Sequence, residues 1–193
     1  MTDPVAEVRA WLRDAAAAGV EVPEAMTLAT ATAAGVPSAR MVLLKGIEDD
    51  GSFLFFTGYA SRKGRELAEN PRAALVLYWH ELGRQVRIEG AVEQVSREES
   101  EAYFATRPRG SRLAALASRQ SAVLGSRDEL TRRHEELERA YGDADEIPLP
   151  EQWGGYRLRA DAIELWRHGE HRLHERVLFT RARDGWSKQL LSP

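Results

Sequence analysis

From Gln85 to Val95 polar and apolar residues alternate, with Val86, Ile88 and Val92 on one side and Gln85, Arg87 and Glu89 on the other. A period of two is the signature of a strand with one buried and one wet face. It commits this part of the chain to an antiparallel sheet packed on a one-sided core. Other segments of strand-like composition flank it. Ala25 to Thr32 is rich in Thr and small residues, and Ser38 to Lys45 has polar ends around an apolar centre. Asp49-Asp50-Gly51 is a hairpin turn signal leading into Ser52 to Thr57, which reads as the third strand of a meander. Ala73 to Trp79 shows little alternation and reads as buried on both faces, while Tyr156 to Trp166, Val177 to Thr180 and Trp186 to Leu191 read as closing strands.

Helices are announced by their caps. Asp3-Pro4 precedes Val5, Val8, Trp11, Leu12 and Ala15, an apolar stripe that ends at Gly19. Ser61 caps a short helix that closes near Asn70-Pro71. Ser96 to Glu99 forms a capping box for a helix through about Thr106; Arg107 to Ser111 breaks it, and a short helix follows to about Ala117. Ser126 to Glu129 reads as a second box, opening a charged helix to Tyr141, and Gly142 to Gly155 is a loop. Five to seven short strands interrupted by helices predict one antiparallel, barrel-like α+β domain over residues 1–193. The first helix occupies residues 1–20, and a distinct C-terminal segment spans 166–193.

Composition narrows the chemistry. A net charge of −3 argues against a general nucleic-acid or anionic-membrane binder. Without cysteine there is no disulfide, thiolate metal site or cysteine nucleophile. No apolar run approaches a membrane span and no secretory signal is evident, so the expected location is cytoplasmic. Lysine occurs only at Lys45, Lys63 and Lys188 among 27 basic residues. Each of the three therefore invites inspection.

The densest chemistry lies in W-R-H-G-E-H-R-L-H-E-R, Trp166 to Arg176. On an extended strand Arg172, His174 and Arg176 would share one face and repel each other unless an anion sat there; a solvated charged strand is the plain alternative. His171 and His174 would then lie on opposite faces, so no metal centre is expected. Arg62 and Lys63 stand in the first turn of a helix, where cations are unfavourable unless an anion is bound. Tyr103, Arg107 and Ser111 recur every four residues across a helix end, offering a phenol, a guanidinium and a hydroxyl to a second phosphate. Arg40 and Lys45 bracket an apolar strand, and could equally be strand-end charges meeting solvent.

Taken in order, these pieces resemble the pyridoxine/pyridoxamine 5′-phosphate oxidase family of flavoproteins. The resemblance is carried by R-M-V-L-L-K (Arg40 to Lys45), F-F-T-G-Y-A-S-R-K (Phe55 to Lys63), N-P-R-A (Asn70 to Ala73) and R-Q-V (Arg84 to Val86). It continues in Y-F-A-T-R-P-R-G-S (Tyr103 to Ser111), S-R-Q-S (Ser118 to Ser121), P-L-P-E-Q-W-G-G (Pro148 to Gly155) and G-E-H-R-L-H-E-R (Gly169 to Arg176). It implies an FMN-binding split β-barrel that works as a homodimer, with the flavin between subunits. By motif position Arg40, Met41, Val42, Leu43, Leu44, Lys45, Phe56, Thr57, Arg62, Lys63, Gln85, Gln120, Ser121, Trp166 and Arg176 would contact FMN. Lys45, Tyr103, Arg107 and Ser111 would hold the substrate phosphate, and Arg172 and His174 would sit over its pyridine ring as catalytic residues. The implied reaction oxidises the 4′-amine or 4′-alcohol of a phosphorylated B6 vitamer to pyridoxal 5′-phosphate, with dioxygen reduced to hydrogen peroxide.

The chain departs from the family pattern in places. Phe56 stands where tyrosine is frequent, Gly110 where a polar residue is, and Glu175 where aspartate is. The sequence starts almost at its first helix, so the basic arm that many members use to cover the substrate is expected to be replaced or dispensable. S-R-K-G-R-E-L-A-E-N-P (Ser61 to Pro71) and L-Y-W (Leu77 to Trp79) also resemble the related oxidase that aromatises dihydrophenazines. A non-catalytic flavin- or pyridoxal-phosphate-binding protein on the same barrel is a further alternative, since fold does not fix function.

Overall fold

The computed structural model describes residues 3–142 and 146–193. The first helix, α1 (Pro4–Ala17), starts where Asp3 accepts the Val5 N–H at 3.0 Å, and it buries Val5, Val8, Trp11 and Ala15 against the sheet. The strands follow as β1 (Ala25–Ala31), β2 (Pro37–Leu43), β3 (Gly46–Ile47) and β4 (Phe53–Gly58), then α2 (Arg62–Glu69), β5 (Arg72–Trp79) and β6 (Arg84–Gln94). Three helices come next: α3 (Arg97–Thr106), α4 (Arg109–Ala117) and α5 (Arg127–Tyr141). The chain closes with β7 (Trp153–Arg167), β8 (Glu175–Ala182) and β9 (Gly185–Leu191). No helix among the described residues is long and apolar enough to cross a membrane.

The nine described strands form one antiparallel sheet in the order β2-β1-β5-β6-β7-β4-β3, with β8 pairing β7 and β9 pairing β8. The long strand β7 organises it. One edge of β7 runs beside β6, from Tyr156 to Arg167. The other edge is shared: β4 takes residues 153–158 and β8 takes 162–167. The sheet therefore splits along β7. A register shift between Glu89 and Gly90 adds the bend. Gly90 sits so close to the neighbouring strand that a Cβ would be driven into the Arg159 carbonyl oxygen. Phe53, Phe55, Leu75, Leu77, Val86, Ile88, Leu158 and Ile163 fill the concave side. Phe104, Leu113 and Ile147 form a smaller core where α3 and α4 meet the rest.

Several expectations are corrected here. The meander does not form: β2 pairs only β1 among the described strands, and β4 pairs β7, about a hundred residues away. The turn at Asp49-Asp50-Gly51 is present, with Gly51 at φ 84°, but it joins β4 to the two-residue β3. Strand β5 alternates after all, with Leu75, Leu77 and Trp79 buried and Tyr78 exposed. At α5, Ser126 accepts the Glu129 N–H, but the Glu129 carboxylate turns to Gly125 and Arg133, so the box is only half closed. The capping box at Ser96 and Glu99 is complete. Residues 143–145 of the loop read from Gly142 to Gly155 lie outside the described residues.

Candidate active site

A cleft of about 590 Å³ opens where the end of β2, the middle of β4, the first turn of α2 and the junction of α3 with α4 converge. Met41, Val42, Leu43 and Lys45 form one wall, Phe56, Thr57 and Lys63 the floor, and Tyr103, Arg107, Ser111 and Gln120 the opposite wall. Thr106, Pro108 and Trp153 complete the lining. Met41 and Leu43 point outward from β2, 62% and 40% exposed, and give the cleft an apolar lip.

Among the described residues the lining carries three cations, Lys45, Lys63 and Arg107, and no carboxylate. Lys63 is 6% exposed. Its Nζ donates to Thr57 Oγ1 and Gln120 Oε1, both at 3.0 Å, and reaches Ser61 Oγ at 3.4 Å. Burial, with a smaller push from the Arg40 charge, lowers its pKa from 10.5 to about 8. Ser61 accepts the Gly64 N–H at 3.2 Å and caps α2, whose first turn holds no acidic residue. The helix end and the lysine together make a region of positive potential facing the cleft.

Across the cleft, the Phe56 and Tyr103 rings stack with centroids 3.8 Å apart, and Trp153 lies nearly parallel to Tyr103. The Arg107 guanidinium rests over Trp153 at 4.8 Å. Its Nη1 is buried with no hydrogen-bond partner among the described residues, and burial lowers its pKa. Burial likewise raises the pKa of Tyr103. An orphaned, buried guanidinium nitrogen in an acid-free pocket is a donor suited to an anionic group. Trp153 carries no role in the sequence reading, though it is conspicuous as an aromatic just before Gly154-Gly155.

The remaining residues singled out in the sequence lie elsewhere. Leu44 is buried in the core. Arg40 donates to Leu28 O at 3.2 Å, to Thr30 Oγ1 at 2.5 Å and to Ser38, and pairs with Glu66 at 3.3 Å. Arg62 donates to Glu66 at 2.8 Å. Burial alone would raise the Glu66 pKa, but the bonds from Ser38, Thr30 and Arg62 bring it down to about 2. Ser121, at φ 69°, follows Gln120 without lining the cleft.

Gln85, Trp166, Arg172, His174 and Arg176 form a second cluster. Gln85 faces Trp166 across β6 and β7, and Trp166 faces Arg176 across β7 and β8. The His174 and Trp166 ring centroids are 4.6 Å apart, and His174 Nδ1 accepts the Gly169 N–H at 3.2 Å. Arg172, His174 and Arg176 do not share a strand face, because β8 begins only at Glu175. Glu170 to Arg172 is a 3₁₀ turn, with His171 and Arg172 in the left-handed region at φ 54° and 64°. The expected repulsion is relieved by that turn and by Glu164, which takes the Arg176 Nε at 2.7 Å. Trp153 lines the cleft and Trp166 belongs to the second cluster. The 13 residue steps from one to the other along β7 correspond to roughly 40 Å of extended strand. The two half-sites stand at opposite ends of the same strand.

Comparison with known proteins agrees with this architecture. The family model "Pyridoxamine 5′-phosphate oxidase" matches residues 12–140. A second, "Pyridoxine 5′-phosphate oxidase C-terminal dimerisation region", matches residues 153–193. A pyridoxine/pyridoxamine 5′-phosphate oxidase of Rubrobacter xylanophilus is 53% identical over 99% of this chain and 87% of its own length. One of Thermosynechococcus vestitus is also 53% identical, over 99% and 89%. Among solved structures, PhzG from Burkholderia lata in complex with tetrahydrophenazine-1-carboxylic acid superposes with a TM-score of 0.93 at 35% identity, covering 100% of this chain and 94% of that one. The antiparallel sheet, split along β7 and flanked by helices, is the split barrel of these relatives, and the chain belongs to the pyridoxine/pyridoxamine 5′-phosphate oxidase family.

Proposed function

We propose that the protein is an FMN-dependent oxidase that converts pyridoxamine 5′-phosphate and pyridoxine 5′-phosphate to pyridoxal 5′-phosphate. The observation that carries the reading is a cleft that, among the described residues, holds no acid and brings together Lys45, Lys63 and an Arg107 nitrogen without a partner. Two phosphates must be held in such an enzyme, one on the cofactor and one on the substrate. Lys63 with the capped N-terminus of α2 suits the first. Lys45, Tyr103, Arg107 and Ser111 suit the second.

When bound, FMN supplies the two-electron acceptor, and dioxygen then takes the electrons to give hydrogen peroxide. The amine substrate also consumes one water and releases ammonia. The chain's own task is alignment. Arg107 and Ser111 fix the phosphate end, Met41 and Leu43 shield the ring plane, and Arg172 and His174 orient the far end. With Nδ1 occupied by the Gly169 N–H, His174 presents Nε2–H as a donor, suited to an oxygen on the pyridine ring.

This division of labour calls for a homodimer. The two clusters lie at opposite ends of β7, and a two-fold partner can bring the second cluster of one chain over the cleft of the other. The match of residues 153–193 to a dimerisation region supports that arrangement.

The likeness to PhzG favours one second reading, oxidation of a reduced phenazine. A tricyclic acid would offer the Tyr103, Arg107 and Ser111 set one carboxylate, whereas a phosphate offers three oxygens to its phenol, guanidinium and hydroxyl, which supports the B6 substrate. The test is anaerobic mixing of FMN-loaded protein with each compound. Bleaching of the yellow flavin by pyridoxamine 5′-phosphate supports the proposal. Bleaching by the dihydrophenazine alone would replace it with the second reading, and a non-catalytic carrier would stay yellow with both.

A further inference from the structure

We propose that Glu164 is a positioning residue whose carboxylate sets the Arg176 guanidinium in the orientation needed to hold the flavin. The inference rests on the FMN-dependent reading above and on the motif position that assigns Arg176 to the cofactor. Glu164 is 5% exposed and lies on β7, two residues before Trp166. Its register partner on β6 is Arg87, whose Nη1 donates to Oε2 at 3.0 Å. On the other side Arg176, register partner of Trp166, donates Nε to Oε1 at 2.7 Å. Each carboxylate oxygen thus takes one arginine.

The arrangement is directional. Arg176 Nη1 is taken by the Ser192 carbonyl at 3.0 Å, and Nη2 has no protein partner among the described residues. Two of the three guanidinium nitrogens are pinned, and the plane of the fork is fixed with the nitrogen Nη2 left over. Burying a carboxylate between two arginines is weak evidence for stability, since an apolar trio can serve a core as well. Its geometric effect is definite: without Glu164, Arg176 keeps only the Ser192 carbonyl as a partner among the described residues and can pivot about that one bond. Arg87 has a second carboxylate in Glu89, at 2.6 Å, whereas among the described residues Arg176 has only Glu164. The loss therefore falls on Arg176. Holding a ligand's partner from behind is a recurrent way to tune a site, and removing such a partner commonly costs on the order of tenfold in affinity.

The test is FMN titration of apoprotein, followed by quenching of flavin fluorescence, for wild type, Glu164→Gln, Arg176→Gln and the double variant. Glu164→Asp is included because it keeps the charge if Glu164→Gln fails to fold. The expected result is about a tenfold weaker FMN affinity for Glu164→Gln, a smaller loss for Glu164→Asp, and no further loss when Glu164→Gln is added to Arg176→Gln. A merely structural role would lower the melting temperature of the apoprotein and leave FMN affinity unchanged. Wild-type affinity in both Glu164 variants, or an additive loss in the double variant, would overturn the inference alone. Failure of the wild type to bind FMN would overturn the FMN reading and this inference with it.

Discussion

Lys63 Nζ donates to Gln120 Oε1 at 3.0 Å, joining residues 57 positions apart and tying the first turn of α2 to the segment after α4. Thr57 Oγ1 donates to the same Gln120 oxygen at 2.9 Å, so three elements converge on one buried ammonium. Among the described residues the cation is held by neutral oxygens only, and no carboxylate offsets its charge at the cleft lining.

The first prediction follows from that charge. The folded-state pKa of Lys63, about 8, lies below its ordinary 10.5, so the empty folded protein gives up this proton earlier than the unfolded chain. Between those values the unfolded state binds more protons, and this group adds stability to the apoprotein as pH rises. A phosphate bound beside it restores the charged form. FMN binding at pH 9 should therefore take up protons, and affinity should fall as pH rises through 8. Calorimetry in two buffers of different ionisation heat measures the uptake, which Lys63→Met should abolish; equal heats for the wild type would contradict the assignment.

Arg107→Met should remove the cleft guanidinium proposed to hold the substrate phosphate. The expected loss in kcat/KM for pyridoxamine 5′-phosphate is roughly 10- to 100-fold, the worth of one hydrogen bond to a charged group. Turnover of unphosphorylated pyridoxamine, expected to be low in both proteins, should be affected far less. A similar loss for both compounds would place Arg107 outside the phosphate site.

Arg172→Ala should reduce turnover strongly while leaving FMN content near the wild-type value, because Arg172 stands on an exposed turn assigned to the substrate ring. Flavin content is read from absorbance and turnover from aldehyde formation. Parallel losses of both would sink the substrate-side role.

If each cleft is completed by the other subunit, inactive variants should rescue each other. A heterodimer of Lys63→Met with Arg176→Gln has one site carrying both changes and one carrying neither. Purified heterodimers should recover about half of wild-type activity. Two half-sites serving within one chain would give no recovery.

What was legible in the sequence is what is locally determined. The caps at Asp3, Ser61 and Ser96 are side-chain to backbone bonds within three residues, and all three form as read. Strand partners are not local: a turn at Gly51 reads as a hairpin whichever strands it serves, and only packing decides that β4 joins β7. Nothing in His171-Arg172 announces positive φ; that conformation follows from the closed turn in which a Cβ at Gly169 would meet the Leu173 carbonyl. That Tyr103, Arg107 and Ser111 share one wall of a cleft was legible from their spacing of four across a helix end. Trp153 was not, because its stacking partners come from β4 and α3.

The most direct test of the account is aerobic turnover by purified, FMN-loaded protein. Pyridoxine 5′-phosphate and pyridoxamine 5′-phosphate are supplied separately, and aldehyde and hydrogen peroxide are followed together. The account predicts catalytic formation of pyridoxal 5′-phosphate with one peroxide per aldehyde from both substrates, and ammonia from the amine only. Tight flavin binding with no aldehyde from either substrate would contradict it.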